Sequence, residues 1–322
     1  MSEESFRSPL FVLSDAIHPE AMARLAEVGV VKVLDMLDPK DHPPVLAQAD
    51  ALIVRRPSFQ VTREVIAACP RLRVIGRHGA GLDNVDLQAA TEAGIPVTFT
   101  PRAPTDSVAE LTVGLIVAVA RRIADAHQAV REGRWHRERF MGMELAGKVL
   151  GIIGFGSIGR AVARIARAMG MRVVAYDPYV SRWPRGVRPA PLPELLQRAD
   201  VVTIHAPLTP ETKGLMGRAE LSRMKPGAIL INTARGGILD EEALAQALRE
   251  GRLGGAGIDV FSREPLPADH PLLHAPNVVL TPHIGAMTEE AQRRMALTVV
   301  QDVLHVLTGG RPEHLANPEV LR

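Results

Sequence analysis

The sequence predicts an α/β protein with two doubly wound parallel sheets. First, short apolar runs alternate with amphipathic helical segments over most of the 322 residues, which is the pattern of parallel β–α–β units. Second, the glycine-rich segment "LGIIGFGSIGRAVARIARAMG" begins only at Leu150, although such a segment usually opens the domain that it serves. The residues before it therefore predict a separate domain.

The first hundred residues predict a small parallel sheet of their own. Strand-like runs and helical segments follow one another here in the order "LFVLSD", "PEAMARLAEVG", "VVKVLDML", "ADALIVRR", "TREVIAACP", "LRVIGRHGAG" and "DLQAATEAGIPVTFT". Glycine, proline or an amphipathic helix separates the apolar runs, as expected between parallel strands. A long helix is then predicted from Asp106 to about Ala129.

The second half of the chain predicts a larger sheet. Six strand candidates follow the long helix: "KVLGIIG", "RVVAYD", "VVTIHAP", "AILINTARG", "GAGIDVF" and "NVVLTPH". Six is the number of strands in a complete dinucleotide-binding sheet. One amphipathic helix, "RRMALTVVQDVLHVLTGG", is predicted after them.

The glycine-rich segment carries the pattern G-x-G-x-x-G at Gly154, Gly156 and Gly159, between a strand and a helix. The first glycine permits a tight turn, the second lets the backbone approach a pyrophosphate, and the third allows close packing of helix on strand. Asp177 ends the next strand, where an acid binds the adenosine ribose hydroxyls and disfavours a 2′-phosphate. The predicted cofactor is therefore NAD, with some NADP use left open by two nearby arginines. The remaining predicted cofactor contacts are Ser157, Ile158, His205 and Thr233.

Composition and charge exclude several classes of partner. The formal net charge of +2 is too small to indicate a nucleic-acid partner, and the apolar stretch "VAELTVGLIVAVARRI" is too short and too charged to span a bilayer. The N-terminal residues lack the basic flank and long apolar core of a signal peptide. Cys69 is the only cysteine, so neither an intrachain disulfide nor a multi-cysteine metal site is expected. No metal is predicted, and the expected location is the cytoplasm.

Three chemically active side chains follow successive strand candidates of the second sheet. Arg235 ends "AILINTARG", Glu264 follows "GAGIDVF" and His283 ends "NVVLTPH". Because ligands bind at the carboxyl ends of parallel strands, these residues are expected to face the nicotinamide. Hydride transfer to a 2-oxo acid needs a cation for the carboxylate and carbonyl, a proton donor that works near neutral pH, and a group that holds the donor. The three residues supply one of each.

The motifs "LGIIGFGSIGR", "MKPGAILINTARGGILDEEAL", "GIDVFSREPL" and "PHIGAMTEEAQ" resemble those of the D-isomer-specific 2-hydroxyacid dehydrogenase family, and the resemblance extends over essentially the whole chain. It implies that Arg235 anchors the substrate carboxylate and carbonyl and that His283 is the general acid/base. It also implies that Glu264 hydrogen-bonds His283 and favours its protonated form, and that Asp259 lies near the nicotinamide carboxamide.

The resemblance also implies the organisation of the chain. A Rossmann NAD-binding domain, residues 103–287, is expected to be inserted into a split, flavodoxin-like substrate-binding domain made of residues 1–102 and 288–322. Two copies of the chain are expected to form a homodimer. The C-terminal regulatory domains of some relatives are not expected.

Within the family, "GRHGAGLDNVDLQAAT" and "GRWHRERFMGMELAGKVLGI" are most similar to the catalytic core of the 3-phosphoglycerate dehydrogenases. The amides of Gly79, Ala80 and Gly81 are expected to face the substrate carboxylate as a small anion nest. Three arginines match positions that hold the substrate phosphate in that branch: Arg55, Arg77 and, across a dimer interface, Arg137. The predicted substrate pair is 3-phosphoglycerate and phosphohydroxypyruvate.

One departure leaves alternatives open. The turn "FTPRAPTDS" has Pro104 in place of an asparagine that donates to the substrate in that branch, and it adds Arg102. Hydroxypyruvate, glyoxylate or a sulfonated acid is therefore an alternative substrate. Formate dehydrogenase, which shares the architecture, is disfavoured because it needs no proton donor paired with a glutamate. A non-enzymatic alternative is an NADH-sensing binding module that resembles the corepressors of this family.

Overall fold

In the computed structural model, which describes residues 7–34 and 43–321, the chain divides into two compact units. The first unit is Met1–Pro104 with Met287–Arg322, and the second is Thr105–Ala286. Each contains one parallel sheet, with five strands in the first unit and seven in the second, so the predicted fold class is confirmed. The substrate-binding and NAD-binding roles predicted for 1–102 with 288–322 and for 103–287 stay predictions. The last residues of the predicted strand "VVKVLDML" lie outside the described residues.

The first unit is a parallel sheet with strand order β2-β1-β3-β4-β5. Thr62 and Asp86 cap two of its helices, because their side chains accept hydrogen bonds from the N–H groups of Val65 and Ala89. The elements of this unit are β1 Leu10–Leu13, α1 Pro19–Val28, β2 Val30–Val33, α2 Pro43–Leu46, β3 Ala51–Val54, α3 Arg63–Ala67, β4 Val74–Arg77, α4 Leu87–Glu92, β5 Val97–Thr98 and, from the end of the chain, α11 Glu289–Leu307.

Helix α11 returns to the first unit and completes its core. Its side chains Val299, Val300 and Val303 are fully buried, in one apolar cluster with Phe11 and Leu13 of β1. Burial of this kind contributes about 1.5–3 kcal/mol for each large aliphatic side chain. The helix after the second unit is therefore part of the first unit's core.

The second unit is a seven-stranded parallel sheet with strand order β12-β11-β10-β9-β6-β7-β8. Its elements are α5 Thr105–Ala120, α6 Ile123–Arg131, β6 Val149–Ile153, α7 Ser157–Ala168, β7 Arg172–Tyr176, β8 Val187–Pro189, α8 Leu192–Arg198, β9 Val201–Ile204, α9 Arg218–Arg223, β10 Ile229–Asn232, α10 Glu241–Arg249, β11 Gly255–Ile258 and β12 Val278–Leu280. Short 3₁₀ turns at Arg137–Phe140 and Pro271–His274 also belong to this unit, and Pro318–Leu321 forms one in the first.

Two details differ from the sequence predictions. The long helix expected from Asp106 to about Ala129 is two helices, because Arg122 adopts a left-handed conformation with φ of +53° and interrupts the helical hydrogen bonds. The sheet also has a seventh strand, β8, which was not predicted because it is only three residues long and includes Pro189.

The strand order of the second sheet reverses beside β6. From β6 the chain first moves outward through β7 to β8, and then returns to the opposite side of β6 to add β9. Such a reversal opens a crevice at the carboxyl ends of the two central strands, which is where ligands bind in doubly wound sheets. Among residues 7–34 and 43–321, no helix has the length and apolar character that a membrane span requires.

Candidate active site

The candidate active site lies along the carboxyl edge of the second sheet. Loops that follow β12, β11 and β10 carry His283, Glu264 and Arg235, respectively, and these three strands are neighbours. The glycine loop follows β6, which is separated from β10 only by β9. Since adjacent strands lie about 4.8 Å apart, the predicted catalytic residues and the predicted phosphate loop belong to one edge.

The glycine loop has the shape that the approach of a pyrophosphate needs. Gly154 has a φ of +89°, and a Cβ there would lie 2.6 Å from the backbone of His205. At Gly156, by contrast, a Cβ would meet nothing within 4 Å, so this position is open. Gly156 is also the N-cap of α7, and no side chain in the described part of the chain caps the helix. The free amides of Ser157 and Ile158 and the helix dipole therefore fit an anionic group.

Asp177, predicted to bind the ribose hydroxyls, also holds the glycine loop in place. One carboxylate oxygen accepts a hydrogen bond from the Phe155 N–H at 2.8 Å, and the other accepts one from the Tyr179 N–H at 2.9 Å. Each oxygen keeps a further lone pair, so these bonds leave Asp177 able to accept from hydroxyl groups.

His205 and Thr233 follow the central strands β9 and β10. Burial lowers the pKa of His205 to about 3, so this imidazole is neutral near neutral pH. Its Nε2 lies 3.0 Å from the Thr203 hydroxyl, and its Nδ1 is buried with no partner in the described part of the chain. Thr112 donates to the Val108 carbonyl at 2.7 Å and thus accepts from the Thr233 hydroxyl at 2.8 Å. The Thr233 hydroxyl is therefore left with acceptor capacity only.

Arg235 projects from a turn that Asn232 organises. Asn232 is the last residue of β10 and is buried, and its side-chain amide donates to the Arg235 carbonyl at 2.9 Å. Its side-chain oxygen accepts from the Ala234 N–H at 3.1 Å. The next residue, Gly236, lies so close to the loop after β11 that a Cβ would be 2.0 Å from the Phe261 carbonyl oxygen. The turn is thus fixed from both sides.

Glu264 and His283 form the central pair of the site. His283 Nδ1 lies 2.9 Å from a Glu264 carboxylate oxygen, and the other oxygen accepts from the Phe261 N–H at 3.0 Å. Burial alone would raise the pKa of Glu264, but the hydrogen bonds from His283 and Phe261 and the nearby Arg235 charge hold it below its usual range. The side chains of His283 and Glu264 are 38% and 34% exposed, so a small molecule can reach the imidazole.

Asp259 holds the loop that carries His283. It is 1% exposed, and its carboxylate accepts from the Thr281 hydroxyl at 2.6 Å and from the N–H groups of Ile284 and Gly285 at 2.8 and 2.9 Å. Its carbonyl accepts from the His283 N–H at 2.9 Å. Burial raises the pKa of Asp259, although these hydrogen bonds oppose the shift. The contacts within the second unit therefore position His283.

In the first unit, Arg77 shapes the predicted anion nest. Its side chain is buried at 8% exposure, and its guanidinium donates to four backbone carbonyls. These belong to Val54 at 3.3 Å, Arg55 at 2.8 Å, His78 at 2.6 Å and Gly81 at 2.9 Å. These bonds hold the loop in place, and the phosphate contact predicted for Arg77 stays a prediction.

The amides of the nest are not equivalent. The Gly79 N–H donates to the Arg77 carbonyl at 3.0 Å, so it is already committed. The N–H groups of Ala80 and Gly81 have no acceptor among residues 7–34 and 43–321. These two amides are thus the ones able to bind an anion.

The other two predicted phosphate contacts, Arg55 and Arg137, lie in different units. Arg55 follows β3 in the first unit and donates to the Ala16 carbonyl at 3.2 Å. Arg137 lies in a 3₁₀ turn of the second unit, where its exposed side chain pairs with Glu138 at 3.1 Å. No carboxylate pairs with Arg55 in the described part of the chain, which leaves its charge available to a substrate.

Several residues that hold the predicted catalytic groups carry little or no signal in the sequence. Asn232, Glu241 and Ser262 contact the turn that carries Arg235 or the loop that carries Glu264, and His270 contacts Glu241. Asn232 carries one usable signal, since it is a polar residue at the end of a buried strand. Glu241 carries none, because an acid in the first turn of a helix is usually solvated.

Comparisons with known proteins give the family. Residues 113–285 match the family model described as D-isomer specific 2-hydroxyacid dehydrogenase, NAD binding domain. The chain is 45% identical over 313 residues to D-3-phosphoglycerate dehydrogenase of Methanocaldococcus jannaschii, in an alignment that covers 95% of this chain and 59% of the relative. The chain thus spans about three fifths of that relative's length.

Solved structures extend the similarity to the whole described fold. A crystal structure of a protein from Thermus thermophilus is 42% identical, with a TM-score of 0.90, and covers 95% of this chain and 99% of that one. A glyoxylate reductase from Paecilomyes thermophila is 32% identical, with a TM-score of 0.88, and covers 97% and 99% of the two chains. Identity and coverage at these levels establish the relationship: the chain belongs to the D-isomer specific 2-hydroxyacid dehydrogenase family.

Proposed function

We propose that the chain is an NAD-dependent dehydrogenase that interconverts a small anionic 2-hydroxy acid and the corresponding 2-oxo acid. The observation that carries the proposal is the 2.9 Å pair of His283 Nδ1 and Glu264, beside Arg235 and on the same sheet edge as the glycine loop. The NAD bound at that loop would donate or accept the hydride.

His283 is proposed to transfer the proton. Its Nδ1 faces Glu264, so Nε2 is the ring nitrogen left to act on the substrate. In reduction, the protonated imidazole donates from Nε2 to the carbonyl oxygen as the new C–H bond forms, and Glu264 stabilises the imidazolium. In oxidation, the neutral imidazole removes the hydroxyl proton at the same atom. Asp259 keeps the loop that bears His283 in position.

We propose that cationic side chains and backbone amides of the chain bind the substrate. The Arg235 guanidinium can bind the carboxylate and the carbonyl oxygen at once, because its N–H groups form a planar fork. The free amides of Ala80 and Gly81 suit a carboxylate, and Arg55 suits a second anionic group. Gly154, Gly156, Ser157, Ile158 and Asp177 are proposed to hold the NAD.

The preferred substrate pair is proposed to be 3-phosphoglycerate and phosphohydroxypyruvate. It is supported by the similarity to D-3-phosphoglycerate dehydrogenases and by Arg55, which has no carboxylate partner in the described residues. The second candidate is glyoxylate or hydroxypyruvate, supported by the glyoxylate reductase neighbour and by Pro104 in the turn after β5.

Rates of NADH oxidation with a panel of 2-oxo acids test both candidates. The panel contains phosphohydroxypyruvate, hydroxypyruvate, glyoxylate, pyruvate and sulfopyruvate, with NADPH as the parallel cofactor. We expect the highest kcat/KM for phosphohydroxypyruvate, and NADH preferred at least about tenfold because Asp177 repels a 2′-phosphate. A preference for glyoxylate or sulfopyruvate would leave the dehydrogenase and reject the phosphorylated substrate. NADH binding without turnover on any acid would favour the sensing module.

Replacement of Glu264 by glutamine is expected to change the pH dependence. Since the pKa of Glu264 is held below its usual range, the wild-type carboxylate stays charged as the pH falls and continues to stabilise the imidazolium. Reduction needs the protonated imidazole, which an uncharged glutamine stabilises less than a carboxylate does. As the pH rises, reduction by Glu264→Gln should therefore be lost at a lower pH than reduction by wild type, with kcat reduced about tenfold. The measurements are kcat and kcat/KM against pH. A profile that coincides with wild type would reject the pairing.

A homodimer is proposed through the segment that contains α6 and Arg137. Trp135 and Met141 are 80% and 82% exposed there, and Ile123 and Val130 are half exposed, which is unusual for apolar side chains of a monomer. The cytoplasmic location stays a prediction.

A further inference from the structure

A buried carboxylate lies behind the catalytic loops of the second unit. Glu241, the first residue of α10, is 8% exposed at its side chain. One of its oxygens accepts from both the N–H and the hydroxyl of Ser262, at 2.6 and 2.8 Å. The other oxygen lies 3.1 Å from Nε2 of His270. The N-terminal end of a helix also favours a negative charge at this position.

The hydrogen-bonding roles of the two His270 ring nitrogens follow from its second contact. Its Nδ1 accepts from the Leu272 N–H at 3.3 Å, so Nε2 is the ring nitrogen that donates, and it donates to Glu241. Glu241 is thus surrounded by three donors and by no acceptor among these contacts. Only a carboxylate can accept from all three without an unpaired donor.

The contacts of Ser262 extend to both catalytic loops. Its hydroxyl oxygen accepts from the Gly237 N–H at 3.0 Å, in the turn that carries Arg235. The residue before it, Phe261, donates to Glu264 at 3.0 Å. Successive N–H groups of one loop therefore bind the carboxylates of Glu264 and Glu241, and the same loop is hydrogen-bonded to the Arg235 turn.

We propose that Glu241, fixed by His270, is a positioning residue that sets the distance between the Arg235 turn and the Glu264 loop. This inference rests on the proposed dehydrogenase function. The loops make contact where Gly236 meets Phe261, so a shift of Ser262 moves the general-acid pair relative to the substrate anchor. A misplacement of about 1 Å can cost on the order of 10²-fold in rate.

The test compares Glu241→Gln with Glu242→Gln. Glutamine must present an N–H to His270 or to Ser262, both of which are donors, so one hydrogen bond is lost. Glu242 lies in the same helical turn but is exposed, so its replacement removes an equal charge without touching the loops. We expect Glu241→Gln to lose kcat by on the order of 10²-fold, with the affinity for NADH and the KM for NADH changed less than about threefold. The control should match wild type.

Two further readouts separate positioning from general stability. With NADH deuterated at the transferred hydrogen, Glu241→Gln should show a larger isotope effect on kcat, because misplaced groups slow the chemical step itself. Hydrogen exchange should accelerate in peptides that contain the Gly237 and Ser262 amides but not in peptides from the glycine loop. A variant that is merely less stable would exchange faster throughout and keep the wild-type isotope effect.

Each outcome decides the inference. Folded Glu241→Gln with wild-type kcat, or an equal loss in Glu242→Gln, would overturn it. If Glu241→Gln does not fold, Ser262→Ala is measured in its place. This variant keeps the Glu241 charge and is expected to lose about tenfold in kcat. An unchanged kcat would overturn the proposal. If the wild-type chain reduces none of the acids, the dehydrogenase proposal fails. Hydrogen exchange at the Gly237 and Ser262 amides still tests whether Glu241 holds the Arg235 turn and the Glu264 loop together.

Discussion

His283→Ala is expected to reduce kcat by about 10³-fold or more while the chain still binds NADH. General acid–base catalysis contributes about 10²–10⁴-fold, and no other imidazole faces Glu264 in the described residues. A loss of 10³-fold corresponds to about 4 kcal/mol of transition-state stabilisation. Alanine also leaves the Glu264 carboxylate without its partner, which adds to the loss. The measurement is steady-state turnover with the preferred 2-oxo acid, together with NADH binding by fluorescence.

His274→Ala is the matched control, because His274 is an exposed histidine of the same unit. It should keep wild-type kinetics. NADH affinity of His283→Ala should stay within about threefold of wild type, since the glycine loop follows a different strand. Turnover of His283→Ala near the wild-type level would reject the general acid/base role. Loss of NADH binding together with turnover would point instead to damage at the sheet edge.

The shared location of the three candidate catalytic residues could be predicted because the sheet is parallel. Each of Arg235, Glu264 and His283 follows an apolar run that is long enough to be a buried strand, and parallel strands end at one edge. The glycine pattern predicted the position of the dinucleotide loop in the same way. Strand periodicity and the parallel connections between strands were therefore the basis for most of the predicted site.

Contacts between loops could not be predicted, because no local pattern encodes them. Glu241 and Ser262 are 21 residues apart, and their contact depends on how two loops pack at the sheet edge. No local pattern signals the contacts of Arg77 either, because its guanidinium donates to four backbone carbonyls of surrounding loops; its phosphate contact stays a prediction. The break at Arg122 was also missed, since residues on both sides favour a helix and only the backbone conformation reveals the interruption.

Arg235→Lys is expected to lose about 10²-fold in kcat/KM, and Arg235→Gln about 10³-fold or more. Lysine keeps the positive charge but cannot bind the carboxylate and the carbonyl oxygen through one planar group. The turn itself should survive both changes, because Asn232 holds it through the backbone carbonyl of residue 235 and not through the side chain. The loss should therefore appear in both KM for the 2-oxo acid and kcat, with little change in NADH affinity.

The comparison of the two variants separates charge from geometry. If lysine restores most of the activity that glutamine loses, Arg235 acts chiefly as a charge near the substrate. If lysine is nearly as poor as glutamine, the bidentate geometry is essential, because a fork also aligns the carbonyl carbon for the hydride. Arg218→Lys and Arg218→Gln are the controls, since Arg218 is exposed at the start of α9. Wild-type KM in both Arg235 variants would contradict the substrate anchor, and the Glu264–His283 pair would then need another cation to orient the acid.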